Sequence, residues 1–293
     1  QVFISPPGDH YVTRLTHTLE VSQVARTIAR ALNLNEDLVE AISLGHDLGH
    51  TPFGHVGEEA LNQLYPGGFA HAAQSLRVVD NIEKGGRGLN LTYEVRQGIV
   101  SHSKPRGDFL GVRGVKKLSL EAQICRLADA VAYLNHDVAD AIRAGILSED
   151  GLPAEVRRAI GTRHSQRIDA MVWDIVESSW AATGTVPPEA LRPAITMSAR
   201  CRRAMNTLRD FLFENVYIPV GRGPESQCAR EVLKLLYGHF HQHPGEIPEE
   251  FWVRHEPVER VVLDYVAGMT DNFALRTAEA VQPGVSRGIF QWL

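Results

Sequence analysis

Adjacent imidazole and carboxylate side chains lie at the end of an otherwise apolar segment of this 293-residue chain. They belong to His46 and Asp47, and Gly45 and Gly49 beside them allow a ligand to approach the backbone closely. Nitrogen and carboxylate-oxygen ligands together accommodate Mg²⁺, Mn²⁺, Fe or Zn²⁺ and leave positions for water and phosphate oxygens. Because neighbours along a helix do not share one face, further ligands must come from other segments.

Two residues elsewhere in the chain can complete such a site. When the apolar stripe of a predicted first helix is extended backwards, His17 falls on its inward side. Asp129 interrupts small and apolar neighbours on the longest predicted helix. Singly, each has a structural explanation, since an inward histidine is more often hydrogen-bonded in a core and Asp129 could pair with Arg126. Their joint order with His46-Asp47 favours a metal site.

A polar column is predicted on the helix that carries Asp129. Tyr133 and Asp137 follow it at steps of four residues, so the three side chains lie near one helical face. In order they supply a carboxylate, a phenol and a second carboxylate, a set that suits a substrate pocket. On the first helix, Arg14 shares the inward side with His17.

The elements that position these residues are predicted to be helices. Apolar residues recur at three- and four-residue steps, and proline or glycine separates the patterns. No strand series competes with them, so the predicted fold class is all-α, in one helical unit without a clear linker. The predicted helices are Tyr11 to Ala31, Glu36 to Leu48, Glu58 to Leu64, Ala72 to Glu83, Thr92 to His102, Ser119 to Ala144, Val156 to Trp180, Met197 to Val216, Ser226 to Phe240 and Val258 to Ala280.

Composition limits the class of protein. A hydrophobic content of 44% is enough for a substantial core and excludes disorder for most of the chain. The formal net charge of −5 argues against a globally basic nucleic-acid binder. Three widely spaced cysteines and the lack of any apolar stretch near the roughly 20 residues that cross a bilayer lead us to expect a soluble cytoplasmic protein with no membrane partner. Because the chain begins at Gln1, we also expect residues upstream.

The order His17, His46-Asp47, Asp129 resembles the H…HD…D pattern of the HD-domain superfamily. Within that superfamily, the chain is similar to the bacterial deoxynucleoside triphosphate triphosphohydrolases, the dGTPase-like proteins. The likeness extends over nearly the whole chain. It is carried by the strings Thr13 to Val21 (TRLTHTLEV), Gly45 to His55 (GHDLGHTPFGH), Phe69 to Arg77 (FAHAAQSLR), Ser119 to Ile124 (SLEAQI) with Arg126 to Asp129 (RLAD), and Gly268 to Asp271 (GMTD).

The resemblance implies a multi-helix HD-domain fold with additional C-terminal helices. An HD metal-binding catalytic core would occupy residues 1–145, and a helical extension packed on that core would occupy residues 146–293. The implied reaction is hydrolysis of a dNTP to the deoxynucleoside and inorganic tripolyphosphate, with attack at the α-phosphorus. The implied ligands of a divalent metal, with Mg²⁺ or Mn²⁺ favoured and Fe, Zn, Ni or Co as alternatives, are His17, His46, Asp47 and Asp129.

The resemblance also assigns catalytic roles around the phosphates. His55 would activate water or protonate the leaving 5′ oxygen, and Glu58, three residues further on, would orient and charge its imidazole. Protonated His50 and His71 would offset the charge that develops during transfer. Arg14 would contact a substrate phosphate through its planar guanidinium group. Without the resemblance, a salt bridge from Arg14 to a neighbouring helix is an equal alternative.

Sugar selection and assembly follow from the same resemblance. Tyr133 and Asp137 match positions near the sugar 3′-hydroxyl, where a tyrosine packed against C2′ leaves no room for a 2′-hydroxyl. The resemblance implies a homo-oligomer, a hexamer in bacterial relatives. It also admits a dNTP as allosteric effector and a single-stranded nucleic acid as a further partner.

Two other functions stay open at this stage. The chain could be another HD-domain phosphohydrolase, such as a nucleotidase, a phosphodiesterase or a (p)ppGpp hydrolase, with the same metal site and a different substrate. It could also be a regulator that binds dNTP or single-stranded nucleic acid without turnover, although no stripe of aromatic and basic residues supports this. Base preference is not predicted.

Overall fold

The computed structural model describes residues 13–103, 117–185, 193–253 and 256–289. These residues contain twelve helices of seven or more residues and no β-strand, which confirms the all-α fold class. In the described part of the chain, no helix combines the length and apolar character needed to span a membrane. The helices are α1 Arg14–Ala31, α2 Glu36–Gly45, α3 Gly54–Leu64, α4 His71–Arg77, α5 Tyr93–Ser101, α6 Leu120–Arg143, α7 Ala154–Ile160, α8 His164–Ser178, α9 Ala199–Leu212, α10 Pro224–Gln242, α11 Val258–Ala267 and α12 Asp271–Val281.

Shorter helical segments join several of these helices. Two are π-helical and directly continue α4 and α9. The others are 3₁₀ or single α-helical turns. The short segments are Val78–Ile82, Glu83–Gly86, Glu149–Gly151, Trp180–Thr183, Phe213–Tyr217, Ile218–Gly221, Pro244–Glu246 and Glu249–Phe251.

The chain forms two compact units. Among the described residues, unit I takes residues from 13 to 46 and from 92 to 216, and unit II takes those from 47 to 91 and from 217 to 289. In unit I, α6 packs against α1, α2, α5 and α8. In unit II, α10 packs against α3, α11 and α12. The sequence predicted a boundary at residue 145, between a catalytic core and a C-terminal extension. That boundary does not coincide with the division into these two units, and it stays a prediction.

Each unit has its own buried apolar core. In unit I the core includes Ile28 of α1, Ile42 of α2 and Leu134 of α6. In unit II it includes Leu61 of α3 and Leu233 of α10. Removal of such side chains from water supplies the main driving force for packing the helices.

Side-chain caps begin the three helices that carry or directly precede the predicted metal ligands of unit I. Thr13 forms a capping box at the start of α1. The side chains of Asn35 and Ser119 accept hydrogen bonds from backbone N–H groups of α2 and α6, at 3.0 and 3.1 Å. Such caps satisfy N–H groups that have no partner within the helix. The predicted start of the first helix at Tyr11 lies outside the described residues.

Two long helices predicted from the sequence are wrong, because each is a pair of shorter helices. The predicted helix Val156 to Trp180 is interrupted at Gly161, whose φ of 94° is incompatible with a continuing helix. The predicted helix Val258 to Ala280 is interrupted after α11, where Thr270 begins α12 by accepting a hydrogen bond from a backbone N–H. In both cases the apolar pattern continues across the break.

Candidate metal and catalytic sites

Three predicted metal ligands of unit I lie together in the structure. Nε2 of His17, on α1, lies 3.4 Å from Oδ1 of Asp129, on α6. Nε2 of His46, which directly follows α2, lies 4.0 Å from the same oxygen. One ligand atom from each residue lies within 4.8 Å of the other two. Three segments distant in sequence therefore present two nitrogens and one oxygen to one point.

The ring of His46 is fixed by its surroundings. The residue is only 1% exposed. Its Nδ1 lies 2.6 Å from the carbonyl oxygen of Ser43, and because a carbonyl only accepts, Nδ1 carries the proton. The ring of His102 packs edge-on against it at a centroid distance of 4.9 Å. These contacts direct Nε2 of His46 towards Asp129.

The donor chemistry of this cluster fits a divalent cation. In the tautomer whose Nδ1 donates to a carbonyl, Nε2 is the nitrogen that offers a lone pair to a metal. A lone pair that faces the Asp129 carboxylate oxygen is stabilised when a cation lies between them. A histidine whose second nitrogen donates to a backbone carbonyl is also the usual arrangement of a metal-bound imidazole. The described residues can therefore hold a metal ion.

The column predicted on α6 is present, with Asp129, Tyr133 and Asp137 in successive turns. Burial, and the negative charges of Asp129 and Asp137, raise the pKa of the Tyr133 phenol far above its usual range. The phenol therefore stays protonated and can donate a hydrogen bond at any physiological pH. Arg14 is the first residue of α1, one turn before His17, and is half-buried.

The four predicted catalytic residues lie together in unit II. Nδ1 of His71 lies 2.9 Å from Oε1 of Glu58, and the backbone N–H of His71 donates to the same oxygen at 2.8 Å. Nδ1 of His55 lies 3.7 Å from the other carboxylate oxygen. The ring of His50 stacks on that of His71 at a centroid distance of 4.9 Å. Glu58 thus contacts His55, as predicted, but contacts His71 more closely.

These contacts determine the charge of Glu58. Burial by itself raises the pKa of its carboxyl, but the hydrogen bonds from the ring and backbone N–H of His71, together with the nearby His55 imidazole, outweigh burial and hold the pKa well below the usual range. The carboxylate is therefore ionised at neutral pH and places a negative charge beside the two imidazoles. The side chain of His55 is 77% exposed, which leaves its ring open to a reactant.

The backbone of unit II brings His50 and His71 together through Gly49. A Cβ atom at Gly49 would lie 2.1 Å from the backbone nitrogen of Ser75 and 2.5 Å from the carbonyl oxygen of His71, so a larger residue cannot be accommodated. The N–H of Gly49 also donates to Oγ of Ser75 at 2.9 Å. Gly49 was predicted to allow a ligand to approach the backbone. In the structure, it allows the backbone of α4 to approach instead.

The motif near the end of the chain supports the turn that precedes His55. Oδ1 of Asp271 accepts a hydrogen bond of 3.0 Å from the backbone N–H of Phe53. Phe53 has a φ of 62°, a left-handed conformation that is costly for an aromatic residue. Asp271 therefore holds a strained turn in place. The motif is part of the resemblance found in the sequence, but the sequence alone indicated no role for it.

The fourth predicted ligand, Asp47, is the first residue of unit II. Its carbonyl oxygen accepts a hydrogen bond of 3.1 Å from the backbone N–H of His50, which forms the turn after α2. Metal ligation by the Asp47 carboxylate stays a prediction.

Two residues that were not predicted from the sequence support the unit I cluster. His102 packs against the metal-site residue His46. Nη1 of Arg126 donates to the carbonyl oxygens of Ser101 and Ser103, the latter at 2.7 Å, and so holds the segment that carries His102. His102 ends a predicted helix, and Arg126 lies within a resembling string, but neither position indicated these contacts.

Comparison with known proteins identifies the class. A family model described as the HD domain matches residues 14–134, and one described as the phosphohydrolase-associated domain matches residues 195–280. The first range contains all eleven predicted site residues except Asp137. Together with the all-α fold and the His17–His46–Asp129 cluster, these matches define an HD-domain phosphohydrolase.

Similar proteins identify the family more closely. The chain is 49% identical to a deoxyguanosinetriphosphate triphosphohydrolase-like protein of Caldanaerobacter subterraneus subsp. tengcongensis, over 94% of this chain and 76% of that protein. It is 45% identical to a protein of the same description from Desulfatibacillum aliphaticivorans, over 94% and 79% of the two chains. The chain belongs to the family of deoxyguanosinetriphosphate triphosphohydrolase-like proteins, which confirms the resemblance found in the sequence.

Proposed function

We propose that this protein hydrolyses deoxynucleoside triphosphates to the deoxynucleoside and inorganic tripolyphosphate, in a reaction that requires a divalent cation. The observation that carries the proposal is the convergence of His17, His46 and Asp129 within 4.8 Å. The names of the similar proteins, which refer to deoxyguanosine triphosphate, support the substrate class.

The cation would be held by His17, His46 and Asp129, with Asp47 as a fourth ligand. Mg²⁺ and Mn²⁺ are favoured because the reacting group is a phosphate, while the two imidazoles also suit Zn²⁺, Fe, Ni or Co. When bound, the cation polarises an α-phosphate oxygen and stabilises the charge that develops on it.

The histidines of unit II would carry the proton transfers. A water oxygen attacks the α-phosphorus and loses a proton, the bond from phosphorus to the 5′ oxygen breaks, and that oxygen gains a proton. His55 would accept the first proton or donate the second, with Glu58 favouring its charged form. His71, which Glu58 holds through its ring and its backbone, and His50, stacked on His71, would offset phosphate charge.

Substrate binding would involve residues of α1 and α6. Arg14 would donate two parallel hydrogen bonds to a phosphate. Tyr133, whose phenol stays protonated, would pack against C2′ of the sugar, and Asp137 would accept from the 3′-hydroxyl. A tyrosine in that place excludes a ribose 2′-hydroxyl. Homo-oligomer formation, allosteric activation by a dNTP and single-stranded nucleic-acid binding stay predictions.

Product analysis tests the proposal. The purified chain is incubated with Mn²⁺ or Mg²⁺ and the four dNTPs, singly and mixed, and the products are separated by charge. We expect tripolyphosphate and a deoxynucleoside in equal amounts from at least one dNTP. Release of pyrophosphate or single phosphate would identify another HD-domain hydrolase, and dNTP binding without turnover would identify a regulator.

Two variants complete this experiment. His55→Ala should retain bound metal but lose turnover, because His55 is not among the proposed ligands. His241→Ala is the matched control, since His241 is an exposed histidine on α10 that pairs only loosely with Glu259, at 3.6 Å. Full turnover of His55→Ala would contradict the assigned role.

A further inference from the structure

A second cluster of ligand-type side chains lies within unit I. Glu20 is on α1, His136 is on α6 and His164 is the first residue of α8. Nε2 of His136 contacts Oε2 of Glu20, and Nε2 of His164 lies 4.0 Å from Oε1 of the same carboxylate. One ligand atom of each residue lies within 4.8 Å of the other two. The cluster shares no residue with the His17–His46–Asp129 site.

Helical spacing explains why the second cluster resembles the first. Glu20 lies three residues after His17 on α1, and His136 lies seven after Asp129 on α6, so each pair shares a helical face. The rings of His17 and His136 are 5.6 Å apart. Helices α1 and α6 therefore supply one carboxylate and one imidazole to each cluster, and a histidine from a third segment of the chain completes each set.

Buried polar atoms of this cluster lack hydrogen-bond partners within the described residues. They are Oε1 of Glu20, which faces His164, and Nδ1 of His136. The side chain of His136 is only 8% exposed. Buried polar atoms of this kind cost free energy unless something satisfies them, and native proteins rarely leave them so. A cation between Glu20 and His164 would satisfy the carboxylate oxygen.

We propose that Glu20, His136 and His164 bind a second divalent transition-metal cation. Two imidazoles and one carboxylate are the protein ligands of a common class of zinc sites, with positions left for water. By the Irving–Williams order of affinities for divalent metals, Zn²⁺ binds such a site more tightly than Mn²⁺ does. The partial exposure of His164, at 42%, gives the ion a route of entry. This site does not depend on the proposed hydrolytic function, since its ligands are separate from those of the first site.

Metal binding without nucleotide tests the second site. Equilibrium dialysis of the full chain against Zn²⁺, with metal analysis, should give at least two equivalents per chain. His164→Ala removes a partly exposed ligand from the end of a helix, so it should fold normally. It should lose one equivalent, or bind it at least about tenfold more weakly. Glu20→Gln should behave in the same way, and Asp129→Ala should lose a different equivalent.

His241→Ala provides the control, because its side chain has a similar exposure of 48% and lies outside the cluster. X-ray diffraction at the zinc absorption edge adds a second measurement and should show an anomalous peak among the three side chains. Wild-type stoichiometry and affinity in both His164→Ala and Glu20→Gln, with no anomalous peak there, would overturn the proposal and leave a hydrogen-bonded Glu20–His136 pair.

Discussion

Glu58 holds His71 at two atoms, through the ring nitrogen at 2.9 Å and the backbone nitrogen at 2.8 Å, whereas its contact with His55 is 3.7 Å. The carboxylate is therefore placed mainly by a residue thirteen positions away rather than by its neighbour on the helix. Since His50 stacks on His71, Glu58 orients the ring of His71 directly and the ring of His50 through it.

Glu58→Gln should lower kcat more than it changes KM. The amide has nearly the same shape but lacks the charge that favours protonated imidazoles. Because general acid–base catalysis contributes about 10²–10⁴-fold, we expect kcat to fall at least about tenfold. Steady-state kinetics with the preferred dNTP measures this. Glu59→Gln is the matched control, since Glu59 is adjacent, 57% exposed and paired with Arg230 at 3.3 Å. Equal effects of the two variants would contradict the role of Glu58.

The same carboxylate should make stability depend on pH. Because hydrogen bonds hold the pKa of Glu58 in the folded chain below its ordinary value of 4.5, the folded state favours ionisation more than the unfolded state does. The ionised carboxylate therefore contributes to the free energy of unfolding at pH values above its pKa in the unfolded chain. This contribution is lost as the pH falls through its pKa in the folded chain. Urea unfolding should therefore show a stability difference between wild type and Glu58→Gln of about 1–3 kcal/mol at pH near 7 that shrinks below pH of about 4.5. A difference independent of pH would contradict this.

The fold was predictable from the sequence where the signal is local. Periodic apolar residues predicted most helices, and the structure confirms the all-α class. The breaks at Gly161 and before Thr270 were missed because apolar residues continue on both sides of each break. A glycine within a helical pattern is often tolerated, and only the tertiary structure gives Gly161 its φ of 94°.

The site was predictable as a set of residues but not as a set of contacts. The pattern that includes His17, His46 and Asp129 predicted a cluster that the structure brings together. The contact between Glu58 and His71, and that between Asp271 and Phe53, join residues far apart in sequence. No periodicity signals such pairs, because they depend on how helices pack after they have formed.

Tyr133 should determine the preference for deoxyribose. In Tyr133→Ala the space beside C2′ opens, so the ratio of kcat/KM for a dNTP to that for the matching ribonucleotide should fall at least about tenfold, the discrimination that about 1.4 kcal/mol supplies. Tyr133→Phe keeps the ring and should keep the discrimination. Competition assays with paired nucleotides measure the ratio. An unchanged ratio in Tyr133→Ala would exclude steric selection by this residue.

The buried carboxylate of Asp264 should stabilise unit II. Its side chain is 1% exposed and accepts hydrogen bonds from Arg77 and Arg260, each at 2.7 Å. Asp264→Asn removes the buried counter-charge that the partly buried guanidinium groups of Arg77 and Arg260 share, although Arg77 keeps its ion pair with Glu256, so we expect a loss of about 3–5 kcal/mol in the free energy of unfolding. Glu256→Gln, at the more exposed partner of Arg77, should cost less. Equal losses in urea unfolding would show that burial is not decisive.

The proposed hydrolysis depends on a cation held by Asp129 together with His17 and His46. The most direct test measures bound metal and tripolyphosphate release on one sample of Asp129→Ala, with Asp169→Ala, an exposed aspartate of α8, as control. We predict that Asp129→Ala keeps its helical circular dichroism, loses one equivalent of metal and releases no detectable tripolyphosphate, while the control matches wild type. Wild-type metal content and turnover in Asp129→Ala would show that Asp129 does not hold this cation.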